Sequence, residues 1–227
     1  MPALFPSEGI RARVIDGLLV VLDLKADRYS ILDDIGTAFW RVLTERADDA
    51  RGVGELCSKF GAPADVVESD LRAFRQRCID RGWLTGSMPL ASSGFVARHP
   101  AKPTPFYAWR VLLETITRLW TGGLIKTYAA YAGTRPSMAE PALSGLRERA
   151  LGAFLAAENA ILLPGGSRDC LPRSLALFVF LKRCGIDCNH VIGVQRTPFQ
   201  AHAWVEIEGE PVLERLDQSH FHALARL

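Results

Sequence analysis

The first part of the chain changes from strand-like to helix-like patterning near residue 33. Apolar and β-branched residues dominate three short runs, residues 10–15, 18–24 and 29–32, which predict three β-strands. The Asp16-Gly17 pair between the first two runs is a strong signal for a tight hairpin turn. Because residues 25–28 are polar and predict a second turn, the three strands are expected to form a ribbon.

Helical spacing of apolar residues follows the ribbon. The apolar positions of residues 35–43 recur at that spacing, with Asp33 or Asp34 as the predicted N-cap. Residues 53–60 and 64–81 predict two further helices. A three-stranded ribbon followed by three helices is the content of a winged helix-turn-helix domain.

A change of composition then divides the chain. Residues 87–105 hold four prolines and several small residues, and we expect this stretch to link two domains, 1–86 and 106–227. The second domain opens with an amphipathic helix at residues 106–120.

The remainder of the second domain predicts helices followed by strands. After a break at residues 133–141, residues 143–163 and 170–183 predict two helices. A strand at residues 191–194 and a hairpin around Gly209 follow. The fold class is therefore α+β.

Composition and charge exclude several classes of protein. Of the 227 residues 48% are hydrophobic, which is ample for packed cores, and the formal net charge is only +2. No apolar run approaches the ~20 residues of a membrane-spanning helix, and the N-terminus lacks the features of a signal peptide. We expect no membrane partner. Five scattered cysteines, an odd number, favour free thiols and a cytoplasmic protein.

Charge also argues against nucleic acid as the partner of the predicted winged helix. Residues 1–90 hold 12 Lys and Arg but 14 Asp and Glu, a net charge of −2. Phosphate contacts dominate DNA affinity, and an acidic domain lacks the cations that make them. The strand at residues 29–32 instead offers an edge that can pair with an extended peptide.

Two segments carry the strongest candidate chemistry. Cys170 opens a predicted helix, where the positive end of the helix dipole favours a thiolate, and Pro172 suits the first turn. His202 lies on a predicted strand and shares its face with Trp204 and Glu206 by alternation. A thiol beside an imidazole supplies the nucleophile and general base of a thiol hydrolase. Most free cysteines are buried hydrophobes, however, so these residues alone leave both interpretations open.

An acidic third residue would orient the imidazole, and the hairpin offers two. A two-residue turn at Gly209-Glu210 places Asp217 directly opposite His202. A three-residue loop instead pairs Trp204 with Glu214, which is then diagonal to His202 on the same face. The residue pattern leaves both registers open.

Sequence signals for a metal site or a nucleotide site are weaker. Cys184-x-x-x-Cys188-x-His190 straddles the end of a predicted helix and lacks four ligands at a familiar spacing, so we expect no metal. The glycine pairs lack the spacing and lysine of a phosphate loop, so ATP binding has no support. We expect His220 and His222 to lie on a solvated tail.

The motifs of the second half resemble those of a known family. They are residues 170–177 (CLPRSLAL), Gly185, residues 191–194 (VIGV) and residues 199–206 (FQAHAWVE). Together they resemble the lasso-peptide biosynthesis B protein, a leader peptidase of the transglutaminase-like cysteine protease superfamily. The first half looks like the peptide-recognition element of ribosomally made, modified peptides. The matching stretches there are residues 22–24, 29–34 and 39–40.

The resemblance implies a fold and a site. It implies a winged helix-turn-helix peptide-recognition domain followed by a transglutaminase/papain-like cysteine protease domain. Cys170 matches the family's nucleophile and His202 its general base. The family's usual aspartate falls at Glu214 here, so we favour Glu214 as the third member, with Asp217 as the alternative. The expected leader-binding residues are Tyr29, Ser30, Ile31, Leu32, Leu71 and Phe74.

The resemblance also implies a reaction and partners. The protein would bind the leader of a precursor peptide and cleave at the leader–core junction, freeing the core's N-terminus. A separate asparagine-synthetase-like cyclase would then form a macrolactam, and ATP would belong to that cyclase, so no cofactor is expected here. Two other functions compete: a transglutaminase or amidase acting on another peptide, and a non-catalytic peptide-binding scaffold. The intact pair of Cys170 and His202 argues against the scaffold.

Overall fold

A computed structural model describes residues 4–45, 49–88, 100–131, 145–160, 170–214 and 216–227, in two units, Met1–Ala91 and Ser92–Leu227. The predicted break at residues 133–141, most of the predicted linker and both ends of the helix predicted at 143–163 lie outside the described residues. The domain limits therefore stay predictions. The secondary structure is a mixture of helices and strands, as the sequence predicts.

The first unit contains the predicted ribbon. Its described strands are β1 (Phe5–Pro6), β2 (Ile10–Ile15), β3 (Leu18–Asp23), β4 (Arg28–Leu32) and β5 (Leu84–Thr85). β2, β3 and β4 form an antiparallel sheet in that order, and β1 pairs with β5. Asp16 and Gly17 join β2 to β3 with φ of 48° and 83°. Both angles lie in the left-handed region that a type I′ hairpin turn requires, which confirms the predicted turn.

Helices pack against this sheet to form the core of the first unit. They are α1 (Asp34–Glu45), α2 (Asp49–Phe60) and α3 (Ala64–Asp80). Asp33 caps α1, because its Oδ1 accepts a hydrogen bond from the Gly36 N–H at 2.7 Å. Val21 from the sheet and Phe39 and Phe74 from the helices share the core, the two rings meeting edge to face at 5.6 Å. Burial of each such side chain contributes about 1.5–3 kcal/mol.

The second unit combines helices with a four-stranded sheet. Its described elements are α4 (Pro105–Tyr131), α5 (Leu146–Ala160), α6 (Cys170–Arg183), β6 (Asn189–Gln195), β7 (Gln200–Ile207), β8 (Glu210–Val212) and β9 (His222–Arg226). The strands are antiparallel and lie in the order β8-β7-β6-β9. α6 is buried from Ser174 to Lys182 and packs against α4 and β7, which fixes the position of its first residue, Cys170. Among the residues described in either unit, no helix is long and apolar enough to cross a membrane.

The hairpin between β7 and β8 corrects both predicted registers. Ile207 pairs with Glu210, and Glu208 and Gly209 form the turn with φ of 55° and 86°. These angles are those of a two-residue turn whose twist matches the flanking strands. The turn therefore falls one residue earlier than the predicted turn at Gly209-Glu210, and the predicted three-residue loop is also wrong.

The C-terminal segment is a strand and not the predicted solvated tail. β9 pairs with β6, and Leu224 and Ala225 are buried. His222 belongs to this strand, opposite Val194, whereas His220 precedes it and is exposed. The prediction for His222 is wrong because its run of residues has little β propensity. Pairing with a long neighbouring strand stabilises it instead.

Gly193 on β6 makes room for a large side chain of β7. A Cβ added at Gly193 would lie 2.5 Å from Cη2 and 2.6 Å from Cζ3 of Trp204. The indole therefore lies directly over the glycine, where any other residue would displace it. Trp204 in turn stacks beside His202, with ring centroids 5.9 Å apart.

We expect Gly193→Ala to destabilise the protein by about 1–3 kcal/mol, the usual result of forcing an extra methyl group into a packed site. Urea unfolding followed by tryptophan fluorescence measures the change. Gly152→Ala is the matched control, because a Cβ at Gly152 on α5 meets nothing within 4 Å. That control is expected to stabilise by about 0.4–1 kcal/mol. Equal stability of Gly193→Ala and the unmodified protein would contradict the close packing.

Candidate active site

Cys170 lies at the N-terminus of α6, as the sequence predicts. The helix begins at this residue, and Pro172 occupies the first turn, where no intrahelical N–H donor is required. The backbone N–H groups of Ala203 and of Cys170 itself both lower the pKa of the thiol. These two groups and the positive end of the helix dipole stabilise negative charge on the sulfur.

His202 projects from β7 and contacts both Cys170 and Glu214. Its Nε2 lies 2.9 Å from Oε2 of Glu214, and its side chain is hydrogen-bonded to the Cys170 thiol. Because Nε2 faces the carboxylate, Nδ1 is the ring nitrogen left for the sulfur. The side chains of His202 and Glu214 are only 10% and 8% exposed, so water screens this chain of bonds weakly.

Glu214 reaches His202 through a local break in the backbone. In the observed register a continued β8 would place Glu214 opposite Ala203, facing away from His202. The strand ends at Val212, and Leu213 adopts φ of 56°, the left-handed conformation. That conformation costs a residue with a side chain about 1–2 kcal/mol. It turns the chain so that the Glu214 carboxylate meets the imidazole.

Asp217, the alternative third member, lies on the surface. Its two carboxylate oxygens accept hydrogen bonds from the N–H and the hydroxyl of Ser219, at 2.9 Å and 2.8 Å. These bonds to Ser219 lower the pKa of the Asp217 carboxyl. The structure thus brings Cys170, His202 and Glu214 together and leaves Asp217 in a turn of its own.

The electrostatics of Cys170 and His202 favour a thiolate beside an imidazolium. Burial raises the pKa of the Cys170 thiol, but the hydrogen bond from His202, the Ala203 N–H and the His202 charge together lower it below 9.0. The hydrogen bonds to Cys170 and then to Glu214 raise the pKa of His202 to about 9. The ion pair therefore persists from the lowered pKa of the thiol up to about pH 9.

Aromatic rings enclose the imidazole. Trp204 stacks beside His202 at an interplanar angle of 17°, and the Phe221 ring lies 5.6 Å from the imidazole centroid. Trp204 Nε1 donates to Glu206 Oε1 at 2.9 Å, and Arg226 donates to the other oxygen of Glu206. His202, Trp204 and Glu206 share one face of β7, as alternation predicts.

The three residues of the Cys184-x-x-x-Cys188-x-His190 motif, for which no metal is expected, are buried. Cys184 and Cys188 are buried, and burial raises the pKa of both thiols to about 12. His190 lies 2.9 Å from the Ser174 hydroxyl, and burial lowers its pKa to about 3, so the imidazole is neutral. Within the described ranges of the chain, no group of three or more His, Cys, Asp or Glu side chains is placed to hold a metal ion.

Four of the expected leader-binding residues, Tyr29, Ser30, Ile31 and Leu32, lie on β4. This strand forms one edge of the first unit's sheet, because β3 is its only partner among the described strands. Leu19 N–H donates to the Thr37 hydroxyl, which donates to the Leu32 carbonyl, so the main-chain groups of Leu19 point toward β4. By alternation, the N–H of Ile31 points to the open edge.

A pocket of about 270 Å³ lies beside this edge. Leu32 and Phe74, both expected leader-binding residues, line it. Residues that the sequence reasoning missed also contribute: Ile35, Phe39, Arg77, Arg81 and Trp83. Leu71 lines a different pocket, between α1, α2 and α3, and is therefore separated from the edge strand. That any of these pocket residues binds the leader stays a prediction.

Comparison with known families decides what kind of unit carries the cysteine site. Residues 109–226, just over half of the chain, match the model of the transglutaminase-like superfamily. The chain belongs to the transglutaminase-like superfamily. Residues 19–84 match the family of coenzyme PQQ synthesis protein D (PqqD). The PqqD match thus precedes the transglutaminase-like match along the chain. Together the two matches confirm the resemblance to the lasso-peptide biosynthesis B protein.

Two individual proteins are similar over smaller regions. The microcin J25-processing protein McjB of Escherichia coli is 46% identical over 44 residues, which is 19% of this chain and 21% of McjB. The match thus spans about a fifth of that relative's length. The structure of TbiB1 in complex with the TbiA(beta) leader peptide is 27% identical and covers 37% of this chain and 98% of that one, with a TM-score of 0.33.

Sequence reasoning missed two neighbours of the site in this transglutaminase-like unit, Arg173 and Phe221. Arg173 follows Cys170 by three residues on α6, so it lies on the same helix face, and this spacing was a usable signal. Its guanidinium contacts Glu214 and Glu158. Phe221 had no such signal, because it precedes a strand that the sequence pattern does not predict.

The coupling of Cys170 to His202 predicts an unusual pH dependence of thiol reactivity. Cys170 alkylation by iodoacetamide should have its midpoint below pH 9.0 and follow the lowered pKa of the thiol. His202→Ala should raise the midpoint, because burial still raises the pKa of the thiol while the hydrogen bond and the charge of His202, which lower it, are lost. Peptide mass spectrometry at each pH measures the midpoint.

His222→Ala is the matched control, because His222 is an exposed residue of the same sheet. Its midpoint should equal that of the unmodified protein. An unchanged midpoint in His202→Ala would rule out the ion pair.

Proposed function

We propose that this protein is the leader peptidase of a lasso-peptide pathway. It binds the leader of a precursor peptide and cleaves at the leader–core junction with a thiol mechanism. The observation that carries the proposal is the bonded series Cys170, His202 and Glu214 at the start of a buried helix. The PqqD-type match that precedes this transglutaminase-like unit supports a peptide-recognition role for residues 19–84.

In the acylation step, Cys170 attacks the carbonyl carbon at the leader–core junction. The thiolate forms a C–S bond, and the carbonyl oxygen becomes an oxyanion that backbone N–H groups at the start of α6 can stabilise. The scissile C–N bond then breaks as His202 donates a proton to the departing amine. The products are a leader thioester on Cys170 and a core peptide with a free N-terminus.

In the deacylation step, the neutral His202 produced by acylation becomes the general base. It takes a proton from water, whose oxygen attacks the thioester carbon, and the Cys170 thiolate leaves. Glu214 accepts the imidazole N–H throughout, so the ring keeps one orientation and its positive charge is stabilised. Glu214 thereby takes the role of the family's aspartate with one more methylene.

The first unit, in this proposal, is a winged helix-turn-helix domain that binds peptide and not DNA. Its acidic balance disfavours phosphate, and β4 offers an edge with an aromatic pocket beside it. An extended leader would add a strand to β4 through main-chain hydrogen bonds, and alternate side chains would enter the pocket. Phe39, Phe74 and Trp83 give that pocket an apolar character.

The freed core amine is the expected substrate of a separate asparagine-synthetase-like cyclase. Activation of a carboxylate for macrolactam formation consumes ATP, which belongs to that enzyme. This protein is expected to act in the cytoplasm without a cofactor, as hydrolysis by a thiol requires none.

Cys170→Ala tests the nucleophile. We expect precursor cleavage to fall by at least roughly 10³-fold, because the variant has no atom that can form the thioester. Leader affinity should stay unchanged. Mass spectrometry of a precursor peptide measures cleavage, and fluorescence anisotropy of its labelled leader measures binding.

Cys57→Ala is the matched control, since Cys57 is a part-buried thiol of the first unit, packed against its core. It should cleave and bind normally. Continued cutting by Cys170→Ala would refute the assignment. A product joined to an added amine, in place of a hydrolysed leader, would instead identify a transglutaminase.

Ile31→Pro tests the edge strand. Proline removes the N–H that points to the open edge of β4, and we expect leader affinity to fall by about 5- to 10-fold, since one main-chain hydrogen bond contributes about 1 kcal/mol. Cleavage of a leaderless fragment should be little changed. Ile31→Ala keeps the N–H and serves as the control. Equal leader affinity of Ile31→Pro and Ile31→Ala would contradict the addition of the leader as a strand to β4.

A further inference from the structure

Arg173 connects three segments around the candidate site. It lies one turn after Cys170 on α6, and its side chain is only 19% exposed. Its Nε and Nη2 donate to the two oxygens of Glu158 on α5, at 2.5 Å and 3.3 Å. Nη1 donates to Oε1 of Glu214 at 3.4 Å, and Nη2 also donates to the Leu213 carbonyl at 2.9 Å.

These contacts fall on a segment whose backbone is unfavourable by itself. Leu213 has φ of 56°, and this conformation directs Glu214 toward His202 and away from the Ala203 face. A residue with a side chain keeps a left-handed conformation only where the surrounding structure holds it there, for example through hydrogen bonds. Arg173 supplies one bond to the Leu213 carbonyl and one to the next side chain, so it constrains both ends of the turn.

The Glu214 carboxylate is shared between two donors. Oε1 faces Arg173 and Oε2 faces His202. With one oxygen held by the guanidinium, the longer glutamate side chain has little freedom to rotate its other oxygen off the imidazole. Glu158 balances the charge of Arg173 and orients the guanidinium plane through two parallel bonds.

We propose that Arg173 is a positioning residue of the thiol site: its planar fork holds Leu213 and Glu214 so that the carboxylate stays on His202. The proposal deepens the proposed function and rests on it for the reaction. In this proposal Arg173 acts through Glu214 and not on the reacting atoms. The fork is the essential feature, because the three donors on the single nitrogen of a lysine cannot reproduce the four bonds that the guanidinium makes to Glu158, Glu214 and the Leu213 carbonyl.

Arg173→Lys separates the fork from the charge. The change keeps the positive charge and the aliphatic stem, so we expect a folded protein with a similar melting temperature. The alkylation midpoint of Cys170 should rise by roughly one pH unit, because Glu214 no longer stabilises the imidazolium in one orientation. The kcat for precursor cleavage should fall by about 10- to 100-fold with KM unchanged, as for other residues that orient a catalytic group.

Arg183→Lys is the matched control. Arg183 lies on the same helix and makes a two-bond contact with Glu114, at 2.8 Å and 2.9 Å, away from the thiol. It is exposed to nearly the same degree, 21%. Its alkylation midpoint and kcat should match those of the unmodified protein. Glu214→Gln should raise the midpoint as Arg173→Lys does, and the double variant should add no further rise.

The two readouts keep the proposals distinguishable. If the unmodified protein cuts no precursor while Arg173→Lys still raises the midpoint, the peptidase function fails and the positioning role stands. If the unmodified protein cuts but Arg173→Lys leaves both midpoint and kcat unchanged, the positioning role is overturned and the peptidase stands. A lower melting temperature with an unchanged midpoint would show that Arg173 is only structural.

Discussion

The hydrogen bond between His202 and Glu214 is the interaction on which the rest of the site depends. At 2.9 Å it fixes which ring nitrogen faces the sulfur. The hydrogen bond to Cys170, and after it this bond to Glu214, raise the pKa of His202, so that the Cys170 thiolate has a cation beside it. The surrounding fold places its two ends. β7 holds the imidazole through pairing with β6, and a left-handed Leu213 delivers the carboxylate. α6 then brings the thiol to the other edge of the ring.

Local chemistry predicts much of this arrangement. The helix at residues 170–183 begins at Cys170 as expected, because a proline suits its first turn and Gly185 ends it with φ of 87°. The face shared by His202 and Trp204 follows from alternation alone. The ribbon of the first unit is likewise predictable from the sequence, since Asp16-Gly17 can adopt the two positive φ angles of its turn.

The remaining features depend on contacts distant in the sequence. The turn falls at Glu208 and Gly209, and from that register alone Glu214 would face away from His202. Only the left-handed Leu213 reverses this, and the Arg173 bond that accompanies it spans 40 positions along the chain. The same holds for β9, whose residues have low β propensity and gain their structure from β6. The spacing of the family motif pointed to Glu214, whereas both hairpin registers that the residue pattern left open were wrong.

The central claim is that the Cys170 thiol carries out precursor cleavage. Titration of this thiol against the rate of cleavage tests it most directly. The protein is treated with increasing iodoacetamide, and the fraction of Cys170 alkylated is compared with the remaining rate of precursor cleavage in the same samples. The account predicts a linear loss that reaches zero when Cys170 is fully alkylated, even while the buried Cys184 and Cys188 stay unmodified. Cleavage that continues at an undiminished rate with Cys170 completely alkylated would contradict it.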